Sequence, residues 1–357
     1  MAERGDAHVY ASLKDVAARA AVSFQTVSKV LNDKPVAVSA QTRERIWTAA
    51  RELGYVPNAV ARGLISRSTL TIGILAGDLE DWVLAQFVVG AEREARDHGH
   101  AVIIGAALPD GTDARAYVRQ LLERRVDGII AAAPTLEEDA GVGQLLRGKV
   151  PAVSIHHIPG GGVPVVGSSH SDAGRLAAEH LIERGHRGVG MVTGPPSRRV
   201  VVTRSRGFRA ALTAGMVRLP PRRVVASDWT SAGGYAAARE LLDRDPQLTA
   251  IYAHNDLIAL GVLAALRDLG RRVPDDCAVV GCDDVPFAPY MTPPLTTVHV
   301  PFRETGRQAM AVLIDRVRGT DVERKITLPL RLVVRESTVG AAARADGRHP
   351  HREDGPR

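Results

Sequence analysis

The sequence predicts an α/β chain in two parts, a small all-helical domain at the amino terminus and then two lobes, each a parallel sheet wound on both faces with helices. Three observations predict it. Residues 1 to about 68 carry short helical patterns. Beyond them, apolar β-rich runs alternate with amphipathic helical stretches, the signature of a doubly wound sheet. That alternation continues for about 270 residues, more than a single domain of about 100–200 residues holds, so two similar lobes are expected.

The elements follow in order. Ser12 opens S-L-K-D, a helix start with Asp15 placed to reach back to the cap. Leu13, Val16, Ala17 and Ala20 share one apolar face. A turn is expected at Ala21–Val22. Ser23 can cap a second helix, Phe24–Leu31, with Val27, Val30 and Leu31 inward. Its outer face then carries Phe24, Gln25, Ser28 and Lys29. Ser39 starts a third helix with Ile46, Ala50 and Leu53 inward, ending at Gly54. Two short helices about a tight turn, with small Ala17 at the packing point, form a helix-turn-helix. The second helix of such a unit puts its first residues at base edges in the major groove of DNA. Gln25 can pair with adenine, Lys29 can approach guanine, and Phe24 can meet a thymine methyl. A plain three-helix bundle with a polar face is the alternative. The first 68 residues carry ten Lys and Arg against six Asp and Glu, which tilts the balance towards an anionic partner.

The strands expected next are Leu70–Ala76, Ala101–Ala107, Gly128–Ala133 and Val150–Ile155, then Val189–Thr193, Ala250–Ala253 and Ala278–Gly281. Helical patterns between them include Ala91–His98, Asp172–Arg184, Ala232–Asp243 and Asp256–Leu269. Residues 341–357 are rich in Ala, Gly, Pro and mixed charge, without apolar periodicity or Leu heptads. They read as a disordered tail.

Composition narrows the function classes. The net charge is +6 and the sequence pI about 9.6. No apolar h-region opens the chain and no run of about 18 apolar residues occurs, so neither secretion nor a membrane span is expected, and the cytoplasm is. Cys277 and Cys282 are too few for a disulfide framework or a zinc site, and read as two reduced thiols. No cofactor and no metal are expected.

Several later residues stand out on chemical grounds. Trp229 follows Asp228 at a strand–helix junction. Asn255 and Asp256 follow the strand Ile251–Ala253, and Asp283 and Asp284 follow Ala278–Gly281. Arg204 precedes Gly207–Phe208 at a helix start. Strand ends and helix starts are where such folds hold ligands. A saccharide needs a flat apolar face and planar groups for paired hydroxyls, and Trp, Arg, Asp and Asn supply them. Taken singly, Asn255 and Asp284 read equally well as helix caps.

The segments S-L-K-D-V-A-A-R-A-A-V-S-F-Q-T-V-S-K-V-L-N, V-S-A-Q-T-R-E-R-I and L-G-Y-V-P-N-A-V-A-R-G-L resemble the lactose-repressor/galactose-repressor family of transcriptional regulators. The resemblance runs to about Thr338 through R-S-R-G-F, S-D-W-T-S-A-G, H-N-D-L-I-A-L-G, V-V-G-C-D-D and P-P-L-T-T-V. It implies a DNA-binding domain over 1–56, a hinge helix and linker over 57–68, and over 69–340 a two-lobed, periplasmic-binding-protein-like domain that binds an effector and dimerises. It places Ser23, Phe24, Gln25, Thr26, Ser28, Lys29 and Asn32 at the operator. Lactose-type members carry Tyr, Gln and Arg where this chain has Phe24, Gln25 and Lys29. Lysine lacks the rigid bidentate fork of arginine, so the same operator is not implied.

The implied hinge helix covers about Asn58–Leu64, with Asn58 and Ala61 at the DNA and Leu64 wedged into the minor groove, unstacking a base step. Gly63 departs from the usual pattern and costs about 1 kcal/mol in a helix. In the effector domain the resemblance puts Arg204, Trp229, Asn255 and Asp283 on sugar contacts and Phe302 on a pocket aromatic. Asp78 and Trp82 reach the cleft mouth. His156 stands where the family frequently has an acidic residue; imidazole still bonds a hydroxyl, with altered specificity. The Asp228–Trp229 pair and Arg204 lie closer to lactose-type than to purine-type members. The implied protein is a homodimeric repressor on a palindromic DNA operator, released by a small sugar, a galactoside-like saccharide among the candidates.

Two rivals remain on sequence alone. A periplasmic-type sugar-binding protein shares the two lobes but would not need residues 1–68. An enzyme would have to use Gly188-x-Gly190-x-x-x-Gly194, which precedes its strand where a dinucleotide loop follows one. Its other resource is His170 and Asp172 with Ser168, Ser169 or Ser171, and these lack a G-x-S-x-G elbow.

Overall fold

The computed structural model describes residues 11–32, 34–56, 68–106, 113–159 and 162–339. They fall into two compact units, one ending at Thr69 and the other beginning at Leu70. Asn58, Ala61, Gly63 and Leu64, and the tail 341–357, lie outside the described residues.

The first unit holds α1 (Leu13–Ala20), α2 (Phe24–Leu31) and α3 (Ala40–Glu52). Ser12 and Asp15 form the reciprocal capping box expected of them. Ser23 and Ser39 cap α2 and α3. Ala21, at φ 51°, turns the chain between α1 and α2. Val16, Ala17, Ala20, Val27, Val30, Ile46, Ala49 and Ala50 are buried together, with Leu13 and Leu31 at the edge. Arg19 pairs with Glu52 at 2.6 Å and ties α1 to α3. Leu53 departs from its expected inward place: it caps α3 and is exposed.

The second unit contains two six-stranded sheets. The first lobe has β1 (Thr71–Ala76), β2 (Ala101–Ala106), β3 (Gly128–Ala131), β4 (Ala152–Ser154), β5 (Val165–Ser168) and β11 (Lys325–Leu328), in the order β11-β5-β4-β3-β1-β2. The second has β6 (Val189–Thr193), β7 (Val224–Ala226), β8 (Ala250–Ala253), β9 (Ala278–Asp283), β10 (Thr296–His299) and β12 (Arg331–Val333), in the order β12-β10-β9-β8-β6-β7. In the first lobe α4 (Trp82–Asp97) and α11 (Phe302–Val317) share one buried core with the sheet. On its other face lie α5 (Ala114–Glu123) and α6 (Ala140–Leu146). In the second lobe α7 (His170–Glu183) and α8 (Arg199–Ala214) cover one face, α9 (Ser231–Arg244) and α10 (Asp256–Asp268) the other. The short α12 (Glu336–Val339) closes the described chain.

The chain passes between lobes three times, from β5 into α7, from β10 into α11, and from β11 into β12. Every passage leaves a strand at its carboxyl end, so both sheets turn their carboxyl ends to one cleft. The same geometry explains the one antiparallel pairing among the described residues of these otherwise parallel sheets. A strand that leaves one lobe at the cleft and runs straight on must enter the other lobe from the cleft side. β12 does so and pairs antiparallel with β10.

Candidate functional site

The DNA-reading candidates lie on α2. Phe24, Gln25 and Lys29 are exposed, with Phe24 at 48%. The Ser23 hydroxyl accepts from the Thr26 amide at 3.1 Å and lies 2.8 Å from the Thr26 hydroxyl, so this pair is engaged in capping. Asn32 donates its side-chain amide to the Ser28 carbonyl at 2.7 Å and closes the other end of α2. Phe24, Gln25 and Lys29 are thus held out on a helix fixed at both ends. Ser23, Thr26, Ser28 and Asn32 keep it there.

The cleft residues come from strand ends. β1 leads into Asp78, whose carboxylate accepts from the Glu80 amide at 2.9 Å at an exposed turn. Asp81 caps α4, and burial pushes its carboxyl up, with Asp78 adding to the effect. Trp82, the first residue of α4, is half-buried and packs against the core of the opposite lobe. His156 follows β4; its Nδ1 lies 3.7 Å from Glu137 Oε1. Burial, partly offset by the Ala132 backbone and helped by Arg198, lowers its pKa to about 4.

In the second lobe Trp229 takes φ 75°, a strained backbone region that an aromatic residue rarely enters. Its indole lies flat on Gly194, where a Cβ would stand 2.4 Å from the ring. Its carbonyl accepts from Asn255 Nδ2 at 3.4 Å, while Asn255 Oδ1 caps α10 at Ile258. Phe302 opens α11 at a crossover and packs on the second lobe's core.

Arg204 differs from its expected place at a helix start. It sits in the second turn of α8 and is only 3% exposed. One guanidinium nitrogen donates to the His254 carbonyl, and Nη2 lies 3.8 Å from Asp283 Oδ1. Its Nε has no partner among the described residues. Burial opposes its charge, and Cys282, Tyr252, Asp283 and Asp256 around it outweigh that. Asp283 ends β9 at φ 119°. Burial pushes its carboxyl well up, against Arg204. The arrangement is a guanidinium and a carboxyl side by side at the cleft floor, with an aromatic face and an amide from the neighbouring strand ends. It can grip a ring that carries paired hydroxyls.

Other residues at this place escaped the sequence reading as ligand contacts. His170 opens α7 directly after β5, and burial holds its pKa down to about 3, with Arg204 and His156 adding to the effect. His254, fully buried, lies 3.5 Å from the Ser205 hydroxyl and leaves Nδ1 unpartnered. Glu137, Asp81 and Arg198 also face this region. Recognising the short strand β5 would have marked His170. The catalytic grouping weighed at His170 is not assembled, because Asp172 pairs with Arg175 at 3.1 Å and the Ser169 hydroxyl caps α7. Cys277 and Cys282 are free and buried. Among the described residues no helix is long and apolar enough to cross a membrane, and no group of acidic, His and Cys side chains is spaced to hold a metal.

Known proteins match along almost the whole chain. Residues 12–58 match the family described as bacterial regulatory proteins, lacI family, and residues 178–338 match the periplasmic binding protein-like domain. The HTH-type transcriptional repressor PurR of Escherichia coli O139:H28 (strain E24377A / ETEC) is 34% identical over 330 residues, 92% of this chain and 96% of that protein. The Lac repressor dimer bound to operator and the anti-inducer ONPF is 32% identical, with a TM-score of 0.85 over 93% of this chain and 100% of that one. A complex of the transcriptional regulator CelR with cellobiose is 34% identical, with a TM-score of 0.69 over 92% of this chain and 99% of that one.

Proposed function

The chain belongs to the LacI family of DNA-binding transcriptional repressors, and from that premise we propose that it binds a palindromic operator as a homodimer and is released by a saccharide, with galactoside-like sugars the first candidates. The observation that carries the DNA half is the face of α2, where Phe24, Gln25 and Lys29 stand exposed on a capped helix. Gln25 is matched to adenine, Lys29 to guanine and Phe24 to a thymine methyl. Leu64, with Asn58 and Ala61 beside it, supplies the minor-groove wedge implied by the family motif.

The saccharide half rests on the cleft floor, where the Arg204–Asp283 pair, Asn255 and the indole of Trp229 come from three strand ends and one helix. His156, Phe302, Trp82 and Asp78 border it. The lobes share three crossovers, so a ligand gripped by both lobes shifts their relative arrangement and with it the paired DNA-binding units. The sign proposed is release, as the family resemblance implies for sugar-binding members; a co-repressor would use the same two-state machinery with the opposite sign.

The homodimer is supported by apolar side chains left exposed in the second lobe, Leu257 and Leu260 on α10 and Phe287 and Tyr290 after β9, with Tyr290 at 84%. Such exposure of large apolar groups marks an interaction surface. The test is a DNase footprint of the full chain on the DNA upstream of its own gene, paired with sedimentation of the free protein. Two half-sites about 10 bp apart and a dimeric mass are expected. A single half-site bound by a monomer would overturn the reading.

A further inference from the structure

We propose that a groove beside α8, outside the cleft, is a second ligand site for a small amphiphilic anion, an acyl or aryl carboxylate, and that its occupant acts on the cleft through α8. The second lobe's sheet ends at β7. At that edge, between α8 and the strands β6 and β7, runs a groove of about 720 Å³, a size that suits a small ligand. Side chains alternate along a strand, so Met191 and Thr193 of β6 and Val224 and Ala226 of β7 share the face that makes its floor. Val201, Ser205 and Arg209 recur at helical spacing along the facing side of α8, with Val202 and Arg206 beside them. The groove shares no lining residue with the candidate contacts of the cleft.

Two features set the chemistry of the occupant. The first is the lining, which is apolar apart from two hydroxyls and the guanidiniums of Arg206 and Arg209. Both hydroxyls are engaged: Thr193 donates to the Gly194 carbonyl at 2.8 Å, and Ser205 lies 3.5 Å from His254 Nε2. A saccharide laid there would strand its own hydroxyls against Met191, Val201 and Val224, which is unfavourable for each one left unpaired. The second feature is unbalanced charge. From Arg184 to Ser227 the chain carries ten arginines and no aspartate or glutamate. Arg204 stands by Asp283, and Arg222 and Arg223 hold Asp245. Arg206 and Arg209 pair with no carboxylate among the described residues; Arg209 donates only to the Leu219 carbonyl, at 3.3 Å. Guanidinium N–H groups donate to neutral oxygens too, so hydrogen bonding alone does not select an anion. The uncompensated charge does, because a neutral head group gains no Coulombic attraction from it.

α8 joins this groove to the cleft. Arg204 and Ser205 are consecutive, Arg204 buried beside Asp283 and Ser205 lining the groove. They meet again at His254, whose carbonyl accepts from Arg204 and whose Nε2 faces the Ser205 hydroxyl. A ligand seated between α8 and β7 therefore displaces the helix that carries the guanidinium of the cleft floor. Two distinct sites that bias one element are coupled, each changing the affinity at the other.

Isothermal titration of the full chain tests the site with octanoate and phenylbutyrate against octanol, phenylbutanol and octylammonium. The two acids are expected to bind about tenfold or more tighter than their neutral and cationic counterparts. Arg206→Glu and Val202→Asp should each weaken the acids by about tenfold or more. Arg218→Glu, exposed and outside the groove, should leave them nearly unchanged, with melting temperature as the folding control for all three. Anisotropy on the DNA upstream of the gene reads the coupling: saturating octanoate should shift the affinity for that DNA by about fivefold or more, and Arg206→Glu should remove the shift. Alcohols or the amine binding as tightly as the acids overturn the proposal. So does a loss in Arg218→Glu equal to that in Arg206→Glu, which would mean a diffuse charge effect in place of a site. Acid binding that leaves the DNA affinity unmoved overturns the link through α8.

Discussion

Arg204 shows how a single side chain can tie the cleft together. It is buried, donates to the backbone of His254 and stands beside Asp283. Replacing it with Ala should abolish the effector response while operator binding persists. It leaves the Asp283 carboxyl without its cation, which costs about 1–3 kcal/mol of stability, measurable by urea denaturation. A response retained in Arg204→Ala would remove this residue from the site. Lys29 is the matching residue of the DNA face. Lys29→Ala should weaken specific operator binding by about 1–3 kcal/mol and non-specific DNA binding by less; equal losses on both DNAs in anisotropy titrations would deny it a base-reading role. Both residues were legible as chemistry, Arg204 as a hydroxyl-gripping fork and Lys29 as a guanine donor. The depth of Arg204 was not legible, because nothing in R-S-R-G-F says how far α8 extends ahead of it. His170 was passed over for the same kind of reason: its strand β5 is four residues long and carries a glycine.

At the scale of elements, α7 and α8 cross at a point where each backbone touches the other. A Cβ at Gly207 would stand 1.8 Å from the Ser171 carbonyl oxygen, and one at Gly174 would stand 2.1 Å from the Arg204 carbonyl oxygen. The contact recurs between α4 and α11 at Gly90 and Gly306, and between α9 and α10 at Gly234 and Gly261. Gly207→Ala is therefore expected to destabilise the fold by about 1–3 kcal/mol through overpacking and to shift Arg204 with it. An unchanged melting temperature would show that the helices slide apart freely.

The end of the described chain is tied by a buried network. His180 on α7 lies 2.8 Å from the Thr338 hydroxyl, which lies 2.8 Å from that of Thr296. Burial lowers the His180 pKa from 6.5 to about 4. The folded state thus binds fewer protons there than the unfolded state. Its contribution is complete above about pH 6.5 and is lost as pH falls towards 4. The stability advantage of the native chain over His180→Gln should shrink by about 1–2 kcal/mol between pH 7 and pH 5; a constant gap would mean that His180 titrates normally.

Length alone did not decide which elements were legible. Phe24–Leu31 and Val189–Thr193 were expected with the bounds they have. α4 was read only over its last turns, because Trp82–Val88 is apolar almost all round and shows no helical stripe. β7, β10, β11 and β12, of three or four residues each, were not read.

Beyond the helical first unit, the molecule is a pair of lobes joined by three crossovers, with the candidate ligand groups drawn from both sides. Alternating strands and helices announced the two lobes. The antiparallel β12 followed from where the chain crosses, which only the three-dimensional path reveals. If lobe arrangement is what DNA and effector both act on, the two bind through one coupling free energy, about 1–3 kcal/mol. The coupling must then be reciprocal: operator DNA should weaken effector binding by the factor by which effector weakens operator binding, and titrations in either order check it.

The most direct test of that account is fluorescence anisotropy of the protein on the DNA upstream of its own gene, titrated with a panel of sugars at fixed salt, since phosphate contacts make affinity strongly salt-dependent. The account predicts that the protein binds this DNA and that at least one sugar releases it. Tight binding that no sugar disturbs would contradict it.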